Sequence, residues 1–344
     1  MSITTATGAH VPAVTLARRP DGVPRPEDFA VTTTSVRTPG PGEVRVRALD
    51  LSLDPYIRSV LGDGHLAEPA LPIGGVVPGT AVAEIVDPGD SGLAIGDLVM
   101  ASTGWAAEAV VSASGLVPVR ATAGVPLSAV LGPLGMPGLT AYAAHVRHVR
   151  PQPGETVVVT AATGGVGAVA AALARGAGAR TVAVVGSDAK ATVALERLGY
   201  DAAVVGRRDG WLDALHEACP SGIDGYLHMA DQATLDGVAE HLARGARVSL
   251  IGLIDQTNGA SPTRLRAGAV MAARAVVHGM VVYDHTDLIA DQVAAVSAMI
   301  QDGSFTVLED RVHGLEHAPE AFARLMAGEN IGKVVVEVAQ PTHH

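Results

Sequence analysis

The stretch Thr156–Lys190, TVVVTAATGGVGAVAAALARGAGARTVAVVGSDAK, decides how the chain folds. It opens as an apolar β-branched run and bends through glycines. It continues as an alanine-rich amphipathic run and closes on a second apolar run followed by a lysine. The pattern predicts strand, tight turn, helix and strand, which is one βαβ unit of a parallel sheet. Inside it, Ala162-Thr163-Gly164-Gly165-Val166-Gly167 has the spacing of a dinucleotide fingerprint, with alanine at the first position. A strand must stop there, turn, and enter a helix whose first N–H groups face a diphosphate. Side chains at Gly164 and Gly165 would push phosphates away, and Gly167 lets the helix pack close to the strand.

The end of the second strand chooses the nucleotide. NAD sites usually carry an acid there, about 20 residues after the fingerprint. This chain has Gly186-Ser187 at that tip, then Asp188, which the spacing predicts as a helix cap, then Lys190. A 2′-phosphate carries about two negative charges and needs cations. Lys190 supplies one, and Arg207 or Arg208, after the next strand, supplies another. NADP(H) is therefore favoured over NAD(H).

Outward from this unit, the rhythm differs on the two sides. Towards the N-terminus, GEVRVRALDLSLDP alternates like a strand, and AVAEIVDPG, GDLVMAS and AAEAVVSASGLVPV read as short strands between Gly and Pro turns. Towards the C-terminus, apolar strands keep alternating with helical runs such as WLDALHEAC and TLDGVAEHLA. The tail reads as a helix followed by the strand KVVVEV, expected to rejoin the β-rich part. The predicted fold class is α/β. A Rossmann doubly wound parallel sheet spans 131–304, inserted into a β-rich domain formed by 1–130 and 305–344.

The bulk numbers narrow the functions. A net charge of −11 on 344 residues argues against nucleic acid. No apolar run reaches the ~18 residues of a membrane span, and MSITTATGAHVPAV has no charged start or apolar core of a leader. A cytoplasmic protein is expected. Aromatics are only 3% of the chain, so Val, Ala and Leu are expected to fill the core. The single cysteine, Cys219, excludes an internal disulfide and reads as a small filler near a helix end. His145 and His148 stand three apart and read as a solvated helix end; His228 reads as a strand-end histidine satisfied by nearby backbone.

Several stretches in order, LARRPDGVPRPEDF, LSLDPYIR, GMPGLTAY, AATGGVG, GSDAK and NIGKVVVEV, carry a resemblance. The chain resembles the medium-chain dehydrogenase/reductase superfamily, in particular its zinc-free prostaglandin reductases, leukotriene B4 12-hydroxydehydrogenases and alkenal double-bond reductases. The likeness runs from about Val14 to Val338. It implies a GroES-like catalytic domain with the Rossmann insert, NADPH, no metal, and a homodimer. It also implies reduction of a double bond conjugated to a carbonyl, in a small enone or enal. By the same resemblance, Thr163, Gly164, Gly165 and Val166 match the pyrophosphate loop and Lys190 the 2′-phosphate lysine. Ile251, Gly252, Leu253 and the residues to Thr257 match a loop over the cofactor. Met280, Val281 and Val282 match the backbone that holds the carboxamide, and Asn330 a late cofactor contact. Met136 and Thr140 bound the stretch lining the nicotinamide side. Tyr56 matches a tyrosine near substrate.

Three departures stand out. A family tyrosine near the nicotinamide is replaced by Thr257, an asparagine touching the cofactor by Met229, and a tyrosine at the 2′-phosphate by Gly206, with Arg207 beside it. The expected chemistry adds hydride to the β-carbon and needs a donor for the charge that develops on the carbonyl oxygen. Tyr56, Thr257 and Tyr283 are the candidates. A quinone reductase, a zinc-free alcohol dehydrogenase, or a relative that has lost hydride transfer are the alternatives.

Overall fold

The computed structural model describes residues 9–66, 68–120 and 124–342. The leader reading at the extreme N-terminus falls partly outside these residues. The chain divides into two compact units. One takes the N-terminal part to Leu131, Asp310–Ala327 and the residues from Val334 onward. The other takes Gly132–Glu309 with Gly328–Lys333.

The first unit begins with a hairpin, β1 (Ala9–Leu16) and β2 (Phe29–Val36), paired antiparallel. Then come β3 (Glu43–Ser52), the short helix α1 (Ile57–Leu61), and a small hairpin of β4 (Gly64–His65) and β5 (Glu68–Pro69). β6 (Ala81–Asp87), β7 (Leu98–Ala101), β8 (Glu108–Ser112) and β9 (Val117–Pro118) follow. β3 is the hub of the sheet, since it pairs with both β6 and β8. Its alternation buries Val44, Val46 and Ala48 on one face, as the period of two requires.

The second unit starts with α2 (Met136–Ala143), then β10 (Thr156–Thr160), α3 (Gly165–Gly176), β11 (Arg180–Val185), α4 (Asp188–Glu196) and β12 (Ala202–Val205). It continues with α5 (Trp211–Ala218), β13 (Ile223–His228), α6 (Gln232–Ala239), β14 (Leu242–Leu250) and the short α7 (Ile254–Thr257). α8 (Ala267–Ala273), β15 (Val276–Gly279) and α9 (Ile289–Gln301) complete the run. Among the described residues the sheet has six parallel strands in the order β12-β11-β10-β13-β14-β15. The order reverses between β10 and β13, the switch point where doubly wound sheets bind nucleotides beyond their carboxyl ends. The two strands that flank the glycine turn, β10 and β11, are buried on both faces and rich in Val, as central parallel strands are.

The chain then forms β16 (Glu309–His313), α10 (Ala318–Met326) and β17 (Lys333–Glu337). β17 pairs antiparallel with β3, so the tail strand does return to the β-rich sheet.

One expectation about the core, one about a helix cap and one about the histidines are corrected. The β-rich unit is not filled by aliphatics alone: Trp105 lies between Phe29 and Phe322, with ring centroids 5.4 Å and 5.6 Å away. Asp188 is not the cap of α4. Ser187 is, its hydroxyl accepting the Lys190 N–H at 3.3 Å, and Asp188 begins the helix proper. His145 and His148 do not end a solvated α-helix. Ala144–Val149 winds as a π-helix, and the wider turn aims His148 inward. There its ring stacks on His278 at 4.6 Å and its Nδ1 shares a hydrogen bond with the Ser249 hydroxyl at 2.9 Å.

Candidate functional site

The turn between β10 and α3 is built as its composition requires. Ala161 takes φ +47°, a left-handed conformation that ends the strand abruptly, and Gly164 caps the helix. A Cβ on Gly167 would lie 2.6 Å from the Ala161 carbonyl oxygen and 2.7 Å from Ala162 Cα. Only glycine lets α3 approach the strand this closely. Gly164 and Gly165 are half-buried, and added Cβ atoms there would meet neighbours no closer than 3.2 Å and 3.3 Å. The first helical N–H groups are therefore presented to the carboxyl edge of the sheet, where the helix dipole favours an anion.

Groups distant in sequence brace this turn. The N–H of Gly332 donates to the Thr163 carbonyl at 2.9 Å. The Tyr200 hydroxyl lies under the turn, fully enclosed, and donates to the Gly167 carbonyl at 2.9 Å. Its burial pushes the phenol well above its usual range, so it stays a neutral donor. The Thr160 hydroxyl accepts the Met229 N–H at 2.7 Å and donates to the Leu227 carbonyl at 3.1 Å, tying the ends of β10 and β13 together. Pro137 at the head of α2 flanks Gly165. Thr140, one turn on, bonds back to the Met136 carbonyl at 2.8 Å.

The tip of β11 is open. A Cβ on Gly186 would meet nothing within 4 Å. Beside it the Lys190 ammonium donates to the Gly328 carbonyl at 2.6 Å. The two arginines considered from sequence separate here. Arg208 pairs with Asp188 at 2.6 Å, next to Ser187 and Lys190, and lowers that carboxyl below its ordinary range. Arg207, at φ +62°, turns instead to Asp231, 3.2 Å away at the head of α6. The residues thus offer an open glycine tip, a lysine and an exposed ion pair at one place, which fits the phosphate-bearing ribose of NADP(H).

Several of the remaining positions of this unit lie at the same edge. His228 ends β13 fully buried; its carbonyl accepts the N–H groups of Ile251 and Gly252 at 3.0 Å and 3.2 Å. Its ring is not satisfied by backbone as expected, since Nδ1 shares a hydrogen bond with the Tyr226 hydroxyl at 2.7 Å. Burial lowers its pKa to about 4, so the ring is neutral near pH 7. Gly252 lies over Met229, and Leu253 leads into α7, where the Thr257 hydroxyl donates to the Leu253 carbonyl at 3.0 Å. The Met280 N–H continues the sheet by donating to the Leu250 carbonyl at 2.9 Å, and Val281 and Val282 follow at the same edge. Tyr283 is 51% exposed. Asn330 is buried and donates to the Gly332 carbonyl at 2.8 Å, within the segment that braces the turn. In the β-rich unit, Tyr56 heads α1 after Asp54, whose buried carboxylate accepts the Ser52 hydroxyl.

Sequence reasoning missed Tyr200, Thr160 and Gly332. Each acts through a hydroxyl or backbone group whose partner lies far along the chain, and no local pattern marks such a pairing. Among the described residues no three His, Cys, Asp or Glu side chains come together in a way that could hold a metal ion.

Comparison with known proteins agrees with this geometry. A profile described as the N-terminal domain of oxidoreductase matches residues 13–119, and one described as zinc-binding dehydrogenase matches residues 165–300. The NADPH-dependent curcumin reductase of Escherichia coli is 35% identical over 94% of this chain and 96% of its own length. The 2-alkenal reductase (NADP(+)-dependent) of Nicotiana tabacum is 33% identical over 93% and 95%. The crystal structure of CurA from Vibrio vulnificus in complex with NADPH superposes with a TM-score of 0.90 at 31% identity, covering 97% of this chain and 100% of that one. The chain therefore belongs to the medium-chain dehydrogenase/reductase superfamily, in its zinc-free enone reductase group.

Proposed function

We propose that this chain uses NADPH to reduce the carbon–carbon double bond of a small α,β-unsaturated ketone or aldehyde, without a metal. The observation that carries the reading is the intact cradle of Gly164, Gly165 and Gly167 with Lys190 at the open tip of β11, in a chain whose full-length relatives are named for NADPH-dependent reduction. Gly164–Val166 would hold the diphosphate on backbone N–H groups. Lys190, with Arg208 released from Asp188, would hold the 2′-phosphate. Backbone at Met280–Val282 would orient the carboxamide, with Asn330, Met136 and Thr140 on the nicotinamide side.

When bound, NADPH would supply the hydride for the β-carbon and water the proton for the α-carbon, and the negative charge that develops meanwhile would fall on the substrate's carbonyl oxygen. The chain must place a donor at that oxygen, a contribution of about 2.7–4 kcal/mol for one such group. Tyr56 is the donor favoured here, because the Thr257 hydroxyl is engaged with its own helix. The test is NADPH consumption against a panel of enones and enals, with mass analysis of products. A gain of two hydrogens with the carbonyl intact supports the reading. Reduction of the carbonyl itself would favour an alcohol dehydrogenase, and no NADPH turnover would favour a relative without hydride transfer.

We infer a homodimer as well. β15 is an edge strand of the parallel sheet, with Val276 exposed on it and Met271 and Ile289 exposed nearby, and such edges need pairing or cover. A single buried cysteine, free of any disulfide, suits a reducing cytoplasmic setting. A dimer that persists when Val276→Lys is introduced would overturn the edge-strand assignment.

A further inference from the structure

Tyr56 stands at the head of α1, and the β4–β5 hairpin brings the His65 ring against it. The ring centroids lie 5.3 Å apart with their planes tilted by 48°. The backbone on both sides is constrained to hold this contact. Gly64 takes φ +111°, and a Cβ there would fall 2.4 Å from the Glu68 carbonyl oxygen. Any other residue would open the hairpin that sets His65 opposite Glu68. On the α1 side, Ile57, Val60 and Leu61 are buried, and each such anchor contributes about 1.5–3 kcal/mol. The Arg58 guanidinium, 6% exposed, donates to the carbonyls of Pro20 and Gly22. Arg19 donates to those of Leu61 and Leu71 at 2.7 Å and 3.0 Å. Tyr56 and His65 are thus the two aromatic rings of one braced platform.

We propose that His65 is a positioning residue for Tyr56: its ring packs on the phenol and fixes the direction in which the hydroxyl is offered to the substrate oxygen. The inference rests on the reading of Tyr56 given above. Aromatic rings with centroids about 4.5–7 Å apart hold preferred mutual orientations, so the imidazole restricts the side-chain rotamer of the tyrosine.

The test compares the wild type with His65→Ala, which removes the ring, with His65→Phe, which restores one, and with Tyr56→Phe alone and combined with His65→Ala. Steady-state rates with an enone are read, with NADPH affinity as a check that each variant is folded. The expected result is a kcat about two- to fivefold lower in His65→Ala and restored in His65→Phe, with the KM for NADPH unchanged. In the Tyr56→Phe background, adding His65→Ala should change nothing further. A His65→Ala enzyme with the wild-type kcat would overturn the role of His65 while leaving that of Tyr56 intact. A Tyr56→Phe enzyme with undiminished kcat would instead overturn the assignment of Tyr56, and the role of His65 with it.

Discussion

The Lys190 ammonium and the Gly328 carbonyl oxygen lie 2.6 Å apart, although 138 positions separate them in the chain. The same short segment continues to Gly332, whose N–H holds the Thr163 carbonyl. One stretch of six residues, Gly328–Lys333, therefore braces both the diphosphate turn and the lysine expected to read the 2′-phosphate.

Replacing Lys190 should remove the preference for the phosphorylated cofactor. A hydrogen bond to a charged group is worth about 1.5–3 kcal/mol, so Lys190→Ala should weaken NADPH binding roughly tenfold to a hundredfold and leave NADH binding nearly unchanged. Arg208→Ala, which removes an exposed group, should cost only a few-fold. Fluorescence titration with both reduced cofactors reads the ratio. Equal loss for NADH and NADPH would remove Lys190 from the 2′-phosphate site.

The glycines of the site should separate into packing and ligand classes. Gly167→Ala forces a Cβ to within 2.6 Å of the Ala161 oxygen, and overpacking of this kind costs about 1–3 kcal/mol of stability. Gly186→Ala adds a Cβ into open space, so the melting temperature should hold while the Kd for NADPH rises. Thermal melts run beside cofactor titrations distinguish the two. A Gly186→Ala protein that binds NADPH normally would place the ribose elsewhere.

Two of the three candidate donors to the substrate oxygen, Thr257 and Tyr56, should behave differently. Thr257→Val removes a hydroxyl already bonded to the Leu253 carbonyl, so kcat should stay within about twofold. Tyr56→Phe should lower kcat by about a hundredfold or more, the loss typical of one such donor. Single-turnover NADPH oxidation reads the chemical step for both.

Acid should unfold the Rossmann unit in a defined window. Burial, with His278, His285 and Arg147 nearby, lowers the pKa of His148 to about 4, and burial lowers that of His228 to about 4. In the unfolded chain both titrate near the ordinary histidine value of about 6.5. Between these values the unfolded state binds more protons, so stability rises with pH there. It is complete above about pH 6.5 and is lost progressively as pH falls towards 4. His148→Gln should flatten that slope in denaturant titrations; an unchanged slope would mean that His148 is not buried neutral.

The order of strands and helices around Thr156–Lys190 was legible because it is written in local periodicity. A β-branched run of five residues, three glycines in six positions and an alanine-rich stretch each restrict the backbone without reference to anything distant. The glycine turn, the parallel sheet and the cofactor class follow from those residues alone. Which arginine stands beside Lys190 did not follow, because Arg207 and Arg208 are adjacent and a left-handed φ at Arg207 sends their side chains to different acids. Nor did the burial of His148, since a π-turn has no distinct composition and changes which way each side chain faces. Tyr200 under the turn, Gly332 against Thr163 and His65 against Tyr56 were likewise decided only when the chain closed on itself. Local sequence sets the conformations a segment can take at little cost. The partner of a buried hydroxyl, a carbonyl or a ring is set by where the other segments must lie for the apolar faces to be covered.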